Sequence, residues 1–218
     1  MKNLSMSTSP SNEKIFIMKQ FLTFSLICFC LFVKAQINSI LPGNTAPEFA
    51  LKNVDNKQVA FSNFPNAKGF IVAFTCNTCP VAKAYEERIM ELDKKYASQG
   101  YPVIAINPND PTISAGDSFD KMKERAREKG YSFPYLYDEG QKVTNSYGAK
   151  NTPTVFLVSK TNKGNLIEYM GAIDNDSQNA NPDKIKYLDQ AIQSLQENKK
   201  PAINFTKAIG CSVRRKNI

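Results

Sequence analysis

Two cysteines three positions apart carry the chemistry that this sequence can support. Cys76 and Cys79 stand in the run CNTCP, which follows a continuous apolar segment and precedes a long helical pattern. A helix N-terminus presents unpaired N–H groups and roughly half a positive charge, and both stabilise a thiolate. We therefore expect Cys76, just ahead of the first turn, to have a lowered pKa and enough exposure to attack a disulfide. Cys79 is then placed to resolve the mixed disulfide.

The absence of histidine excludes several other kinds of site. None of the 218 residues is histidine, so a Ser-His-Asp triad, a Cys-His pair and an HExxH zinc helix are ruled out. Three cysteines beyond the N-terminal apolar run do not supply the usual tetrahedral ligands of zinc. A purely structural disulfide between Cys76 and Cys79 is a further alternative, but so short a loop gains only about 2 kcal/mol. The sequence favours redox exchange without a metal or cofactor.

A second feature lies far downstream, in the run Asn151-Thr152-Pro153-Thr154 before an apolar strand pattern. A proline at a strand entrance is usually trans, but a cis-proline in a tight turn also occurs there. Together with the upstream CxxC, this position favours the cis form close to the cysteines. Cys211, near the C-terminus, is either an unpaired buried thiol or a third redox cysteine that reaches the same place.

The elements that must position these residues alternate between strands and helices. We expect strands at 69–75, 101–106, 134–137, 154–158 and 166–169, helices at 79–98, 117–129, 141–147 and 182–196, and a hairpin turn at Asp55-Asn56. One side of the last helix is predicted to carry Ile185, Leu188, Ile192 and Leu195. Asp117 is predicted to cap the second helix. Glu86, Glu87 and Arg88 are predicted to form a solvated helix face. This order describes helices packed on both faces of a mixed sheet.

The N-terminus has the pattern of a secretory signal. Residues 21–33 are an apolar run preceded by Lys19 and followed by a small residue at Ala35, so cleavage is expected before Gln36. The run is too short for an ordinary membrane anchor. We expect a leader over 1–35, a redoxin domain over 36–198 and a basic extension over 199–218. The mature protein is then exported, periplasmic or extracellular, with no stable membrane insertion.

The basic charge of the chain is confined to its two ends. Of the net +8, the leader carries +3 and residues 198–218 carry +6, which leaves −1 for residues 36–197. A nucleic-acid-binding protein spreads its basic residues over a folded face. We therefore expect no nucleic-acid partner.

These motifs together resemble the thioredoxin fold: a strand, a CxxC, a long helix, and a Thr-Pro pair about 75 residues later. More narrowly, the segments APEF, FTCNTCP, INPND, FPYLYDE and IGCSV resemble the peroxiredoxin-like branch of the AhpC/TSA redoxins, across about residues 40–215. The resemblance implies an α/β protein, a thioredoxin-like three-layer α/β/α sandwich with a mixed central sheet.

The resemblance also implies a role for each site residue. Cys76 matches the attacking cysteine, Cys79 the resolving cysteine, and Pro153 the cis-proline beside them. The implied substrate-binding residues are Thr152, through its backbone, and Asn77 and Thr78 between the cysteines, with Cys211 as a candidate third redox cysteine. The implied activity is thiol–disulfide exchange. Its partners are protein or small-molecule thiols and disulfides and an electron donor that the sequence does not identify.

Two other functions remain open at this point. Peroxiredoxins carry Pro and Thr or Ser seven and three positions before the peroxidatic cysteine, where this chain has Gly69 and Ala73 ahead of Cys76. This departure counts against peroxidase activity, so a thiol peroxidase of the same superfamily is only the alternative enzyme. A binding module with a stable CxxC disulfide is the alternative outside catalysis. Phe70 stands where thioredoxins keep a buried acid, which makes Asp110 a candidate proton carrier.

Overall fold

A seven-stranded mixed sheet runs through the part of the chain that the computed structural model describes, residues 40–216. The strands are β1 (Leu51–Asn53), β2 (Gln58–Val59), β3 (Gly69–Phe74), β4 (Val103–Asn107), β5 (Tyr135–Tyr137), β6 (Asn151–Thr152), β7 (Thr154–Thr161), β8 (Gly164–Gly171) and β9 (Cys211–Ser212). The helices are α1 (Pro80–Tyr96), α2 (Phe119–Lys129), α3 (Lys142–Tyr147) and α4 (Tyr187–Gln196). The leader predicted over 1–35 lies outside the described residues.

The sheet has the order β2-β1-β5-β4-β3-β7-β8. Strands β3, β4 and β5 are parallel, whereas β7 is antiparallel to β3, β8 to β7, and β1 to both β2 and β5. Strands β6 and β9 form a separate two-stranded sheet. The mixed central sheet predicted from the sequence is confirmed. Within residues 40–216, no helix has the length and apolar character needed to cross a membrane.

Alternation along β3 divides the core into two layers. Ile71 and Ala73 face a cluster that α1, α2 and α4 cover, whereas Phe70, Val72 and Phe74 face a second cluster under α3 and the N-terminal loops. All five side chains are buried, as expected for a central strand covered on both faces. The three-layer arrangement is therefore also confirmed.

The first hairpin forms as predicted at Asp55-Asn56. Asn56 has a φ of +69°, and its N–H donates to the carbonyl oxygen of Asn53 at 2.8 Å. The Asp55 carboxylate accepts the N–H of Lys57 at 3.0 Å. Asparagine tolerates this left-handed conformation better than most residues, which explains the position of the turn.

The prediction of a solvated face on α1 is wrong for two of its three residues. Glu86 is only 5% exposed and accepts hydrogen bonds from Arg125 Nε at 2.7 Å and from the Tyr131 hydroxyl at 3.0 Å. Arg88 is also buried and pairs with Asp174 at 2.7 Å. These partners come from α2 and from the loops after α2 and β8, so helical periodicity within α1 does not show them.

Helix α4 begins at Tyr187, five residues later than the predicted start at 182. The loop before it is fixed by Asn175, whose side chain accepts the N–H of Ile185 at 2.8 Å and whose own N–H donates to the Ile185 carbonyl at 3.2 Å. Ile185 is 42% exposed and does not join the buried side of the helix, where Leu188 and Ile192 lie.

The basic C-terminal segment folds back onto the sheet. Phe205 forms a bridge with Met170 of β8, and Thr206 Oγ1 accepts the N–H of Ala172 at 3.0 Å. Gly171 has a φ of +143°, and a Cβ on it would overlap the Thr206 carbonyl oxygen. This close approach directs the following residues toward β6, where they end as β9.

Replacement of Phe70 tests the packing of the two-layer core. The centroid of the Phe70 ring lies 4.4 Å from that of Phe61 and 5.8 Å from that of Phe64. We expect Phe70→Ala to lower the free energy of unfolding by about 3–5 kcal/mol, since it leaves a cavity. Urea unfolding measures the change, and Leu41→Ala, at an exposed position, serves as the control. A loss below about 1 kcal/mol for Phe70→Ala would contradict this packing.

Candidate active site

The two cysteines of the CxxC lie where β3 passes into α1. Cys79 is the N-cap residue of α1, with extended backbone, and its Sγ accepts the N–H of Ala82 at 3.5 Å. Pro80 occupies the first helical position, where no N–H is needed. The predicted helix start at residue 79 is correct to within one residue, with Cys79 at the helix terminus and Cys76 three residues ahead of it.

The Thr152–Pro153 peptide bond is cis, and it lies beside both sulfur atoms. Thr152 Oγ1 is 3.1 Å from Cys76 Sγ, and the Thr152 carbonyl oxygen is 3.4 Å from Cys79 Sγ. Two segments separated by more than seventy residues thus meet at one point. The structure therefore brings together Cys76, Cys79 and the Thr-Pro pair singled out in the sequence.

A disulfide joins Cys79 to Cys211, with their Cα atoms 5.9 Å apart, and leaves Cys76 as a free thiol. An unpaired Cys211, one of the two alternatives from the sequence, is therefore wrong for this structure. The N–H of Cys211 also donates to Cys79 Sγ at 3.4 Å. Cys79 is thus the sulfur that contacts both the helix terminus and the C-terminal segment.

The environment of Cys76 differs from the expected one. The thiol is only 2% exposed, and burial raises its pKa, with a further increase from the negative charge of Asp117. The hydrogen bond with Thr152 acts in the opposite direction but does not offset burial. The expectation of an exposed Cys76 with a lowered pKa is wrong here, because burial outweighs the hydrogen bonds that Cys76 receives from Thr152 and from the N–H groups of Thr78 and Cys79.

A buried carboxylate supports the loop between the cysteines. Asp117 accepts hydrogen bonds from the Asn77 N–H, Thr78 Oγ1, Asn107 Nδ2, Asn109 Nδ2 and Ser114 Oγ, at 2.7–3.2 Å. Burial alone would raise the pKa of Asp117, but these hydrogen bonds more than compensate and the pKa is lowered. Asp117 therefore stays ionised under the loop, instead of capping α2 as predicted.

The two residues between the cysteines differ in exposure. The Asn77 side chain is buried, donates to the Gly116 carbonyl at 2.9 Å, and accepts from the Tyr135 hydroxyl at 2.9 Å. Thr78 is exposed, although its hydroxyl donates to Asp117 at 2.7 Å. Thr78 is thus the residue of this pair that a second molecule can contact.

Sequence reasoning missed the polar residues under the loop: Asp117, Asn107, Asn109 and Tyr135. One signal was available, because Asn107 ends the buried strand β4 and Asn109 follows it closely, and parallel strands end at the same edge of a sheet. Asp110, the candidate proton carrier, is instead partly exposed. Its pKa is lowered by the hydroxyl and N–H of Thr112, so its carboxylate belongs to a surface turn.

Comparison with known families decides the broader assignment. The AhpC/TSA family model matches residues 42–167, which is more than half of the chain and includes the CxxC and the cis-proline. The chain belongs to the AhpC/TSA family. The family-level prediction from the sequence is confirmed, and with it the assignment to thioredoxin-like oxidoreductases.

Individual relatives agree with this assignment. The chain is 28% identical, over 57% of its length and 67% of the relative's, to the thiol-disulfide oxidoreductase ResA of Geobacillus thermodenitrificans (strain NG80-2). Matches to other ResA proteins span 65–72% of their lengths. An uncharacterized conserved protein from Geobacillus kaustophilus has a similar crystal structure, with a TM-score of 0.74 and 32% identity over 82% of this chain and 94% of that one.

The thioredoxin fold itself is confirmed by a more distant structure. The exposed lipoprotein thioredoxin Etrx1 from Streptococcus pneumoniae strain TIGR4 aligns with a TM-score of 0.51 and 20% identity, over 69% of this chain and 99% of that one. At this identity the likeness concerns the fold alone.

The Asp117 network predicts a pH-dependent stability. We expect Asp117→Asn to lower the free energy of unfolding at pH 7 by about 1–3 kcal/mol, because an amide cannot accept all of these hydrogen bonds. The folded-state pKa of Asp117 is lowered, so its contribution is present above the unfolded value of about 3.9 and is lost as the pH falls through the folded value.

Urea unfolding at several pH values measures this difference. The gap between the wild-type chain and Asp117→Asn should be widest near pH 7 and should narrow in acid. Glu87→Gln, on the exposed face of α1, is the control and should show no such gap. A gap that is independent of pH would contradict the role assigned to the carboxylate.

Proposed function

We propose that the protein is an exported thiol–disulfide oxidoreductase that exchanges electrons through Cys76 and Cys79, with Cys211 as a third redox cysteine. The observation that carries this proposal is a free thiol packed in the same apolar cluster as a disulfide. Cys76, Cys79 and Ala82 form that cluster, and Val81 and Cys211 pack against it. Membership of the AhpC/TSA family and the similarity to ResA proteins support the same activity.

One disulfide can be exchanged among the three cysteines by intramolecular thiol–disulfide exchange. The Cys76 thiolate attacks Cys79 Sγ, so the Cys76–Cys79 bond forms and the Cys79–Cys211 bond breaks. The electron pair leaves on Cys211 Sγ, and the proton lost by Cys76 passes to solvent. The number of disulfides is unchanged, so this step needs no external oxidant or reductant.

Net transfer of two electrons then requires a partner. A partner dithiol reduces the Cys76–Cys79 disulfide through a mixed disulfide at Cys76, or the reduced pair delivers two electrons to a partner disulfide by the reverse route. Protein or small-molecule thiols and disulfides are the substrates, and a separate electron donor completes the cycle. The reduction potential of the pair, measured against glutathione, assigns the direction.

Local electrostatics give the two sulfur atoms of the CxxC different roles. Burial and the charge of Asp117 raise the pKa of Cys76, which lowers the fraction of thiolate available for the internal exchange. Cys79 Sγ receives N–H groups from Ala82 and Cys211, which stabilise negative charge on it when it leaves a disulfide. Thr152 contacts both sulfur atoms and is the proposed backbone contact for a substrate.

Replacement of single cysteines tests the internal exchange. In oxidised wild-type protein we expect mass mapping to find Cys79 linked to Cys211, whereas Cys211→Ser should shift the link to Cys76–Cys79. In an insulin-reduction assay with dithiothreitol, Cys76→Ser and Cys79→Ser should lower the rate by at least about a hundredfold, since each removes a sulfur that the exchange requires. Cys211→Ser, the matched control, should retain most of the rate because its CxxC is intact.

Three outcomes would contradict the proposal. If the Cys76→Ser variant reduced insulin at the wild-type rate, Cys76 would not be the attacking cysteine. Rapid consumption of hydrogen peroxide with a sulfenic acid trapped at one cysteine would favour the thiol peroxidase instead. A reduction potential below about −300 mV would favour a binding module with a permanent disulfide.

Export is proposed from the leader and has its own test. Expression of the full chain in a bacterial host with an intact secretion pathway should yield a periplasmic or extracellular protein whose N-terminal residue is Gln36. N-terminal sequencing or intact mass measures the cleavage site. A cytosolic protein that retains residues 1–35 would contradict export and would leave the exchange chemistry untouched.

A further inference from the structure

The C-terminal segment carries a cluster of exposed apolar side chains. Within residues 40–216 the structure leaves six large apolar side chains exposed, and three of these lie close together in the sequence: Ile203 at 44%, Phe205 at 54% and Ile209 at 52%. Apolar residues exposed singly are normal on a protein surface, whereas a cluster of them marks a place of contact with another molecule. The segment 203–209 therefore has the character of a contact surface.

The backbone turns this surface away from the protein. Phe205 forms a parallel bridge with Met170 of β8, and the Met170 carbonyl accepts the N–H of Thr206 at 3.0 Å. The Thr206 hydroxyl lies inward, 2.5 Å from the Tyr169 hydroxyl. Because successive side chains of an extended segment alternate between its two sides, Phe205 and Lys207 lie on the side opposite to Thr206. The outward side thus places an apolar and a basic residue next to each other.

The charge of this segment has a single sign. Residues 198–218 contain six lysine and arginine residues and neither aspartate nor glutamate. Lys207 is exposed and stands between Phe205 and Ile209, so positive charge lies within the apolar cluster and not only beside it. A surface of one sign attracts a partner of the opposite sign. The complementary partner is therefore negatively charged and also able to cover apolar side chains.

A cavity of about 210 Å³ opens beside the segment. Lys150 and Lys207 both line it, Phe205 and Met170 supply apolar wall, and its lining residues include no aspartate or glutamate. Lys150, like Lys207, is exposed, so its ammonium group is accessible to another molecule. Two cationic groups beside apolar wall suit a ligand in which a phosphate is joined to hydrocarbon.

We propose that this surface docks the protein reversibly on a membrane of anionic phospholipid. We name it the C-terminal patch and define it by Ile203, Phe205, Lys207, Ile209 and Lys150. At the boundary between headgroups and hydrocarbon, apolar side chains enter the hydrocarbon while basic side chains stay among the phosphates. Such peripheral binding needs no membrane-spanning helix. The inference goes beyond the proposed function and does not depend on it.

A uniform positive surface favours lipid over an acidic protein as the partner. Protein surfaces carry both signs of charge, whereas the phosphates of an anionic membrane present one sign over the whole area that the patch covers. The apolar side chains are each about half exposed, so they extend outward instead of lining a closed groove for a partner side chain. Both features are those of a segment that lies on a membrane surface.

Sedimentation with lipid vesicles tests the proposal. The protein begins at Gln36, because the apolar run at 21–33 would bind membranes by itself, and it contains every described strand and helix. Urea unfolding confirms that each preparation is folded. We expect binding to vesicles of equal parts phosphatidylglycerol and phosphatidylcholine to exceed binding to phosphatidylcholine alone by at least about tenfold. Added salt should weaken the binding, since it screens the attraction.

Variants of the patch assign the binding to its residues. Lys150→Gln combined with Lys207→Gln should weaken binding to anionic vesicles by at least about tenfold, since each basic residue near such a surface contributes about fivefold. Phe205→Ala should weaken it by at least about threefold, because less apolar surface enters the membrane. Lys94→Gln combined with Lys163→Gln is the control, with the same change in charge at exposed positions on α1 and in the turn between β7 and β8. This control should stay within about twofold of wild type.

Four results would overturn the inference. Equal binding of the wild type to neutral and anionic vesicles would remove the membrane as the partner. Equal losses in the patch and control lysine variants would leave only attraction by net charge. Unchanged binding of Phe205→Ala would exclude contact of the apolar side chains with lipid. Binding to polyglutamate but not to vesicles, with loss in the patch lysine variant, would make the partner an acidic protein. Insulin reduction is measured separately, so each of these results leaves the proposed function standing.

Discussion

The carboxylate of Asp117 joins the three segments that make up the site. It accepts hydrogen bonds from Asn77 and Thr78 in the cysteine loop and from Asn107 and Asn109 at the end of β4. Asn109 in turn accepts the N–H of Arg214 in the C-terminal segment. A buried anion is costly unless its hydrogen bonds are complete, so the loop, the strand end and the tail have to fold together around it.

The negative charge of Asp117 also helps to make Cys76 and Cys79 chemically different. Asp117 adds to the burial that raises the pKa of Cys76, whereas the first turn of α1 directs an N–H at Cys79. One sulfur is therefore stabilised as a thiol and the other as a leaving group. This asymmetry does not need histidine, which the chain lacks. Backbone N–H groups and one buried carboxylate supply the electrostatics that an imidazole supplies elsewhere.

Much of the fold follows from local pattern, and most of the site does not. The apolar run at β3 and the stripe along α1 predict a buried strand and its helix, because burial periodicity is visible within one element. The pairing of Cys79 with Cys211 spans 132 residues, and the bond from Asp117 to Asn77 spans 40. Neither contact produces a repeating pattern of residue types in the sequence. The C-terminal segment is short, basic and irregular, so its sequence offers the return of Cys211 to the active site only as one of two alternatives.

Burial of the sulfur atoms couples reactivity to opening of the C-terminal segment. Cys76 and Cys79 are both almost inaccessible while β9 is paired with β6, so a protein substrate cannot reach either one in this state. Strand β9 has only two residues, and each net hydrogen bond contributes about 0.5–1.5 kcal/mol. When the Cys79–Cys211 bond is broken, the segment is still held by hydrogen bonds such as those from Val213 to Lys150 and from Arg214 to Asn109. The disulfide is thus both the redox group of the proposed exchange and one of several restraints on access to it.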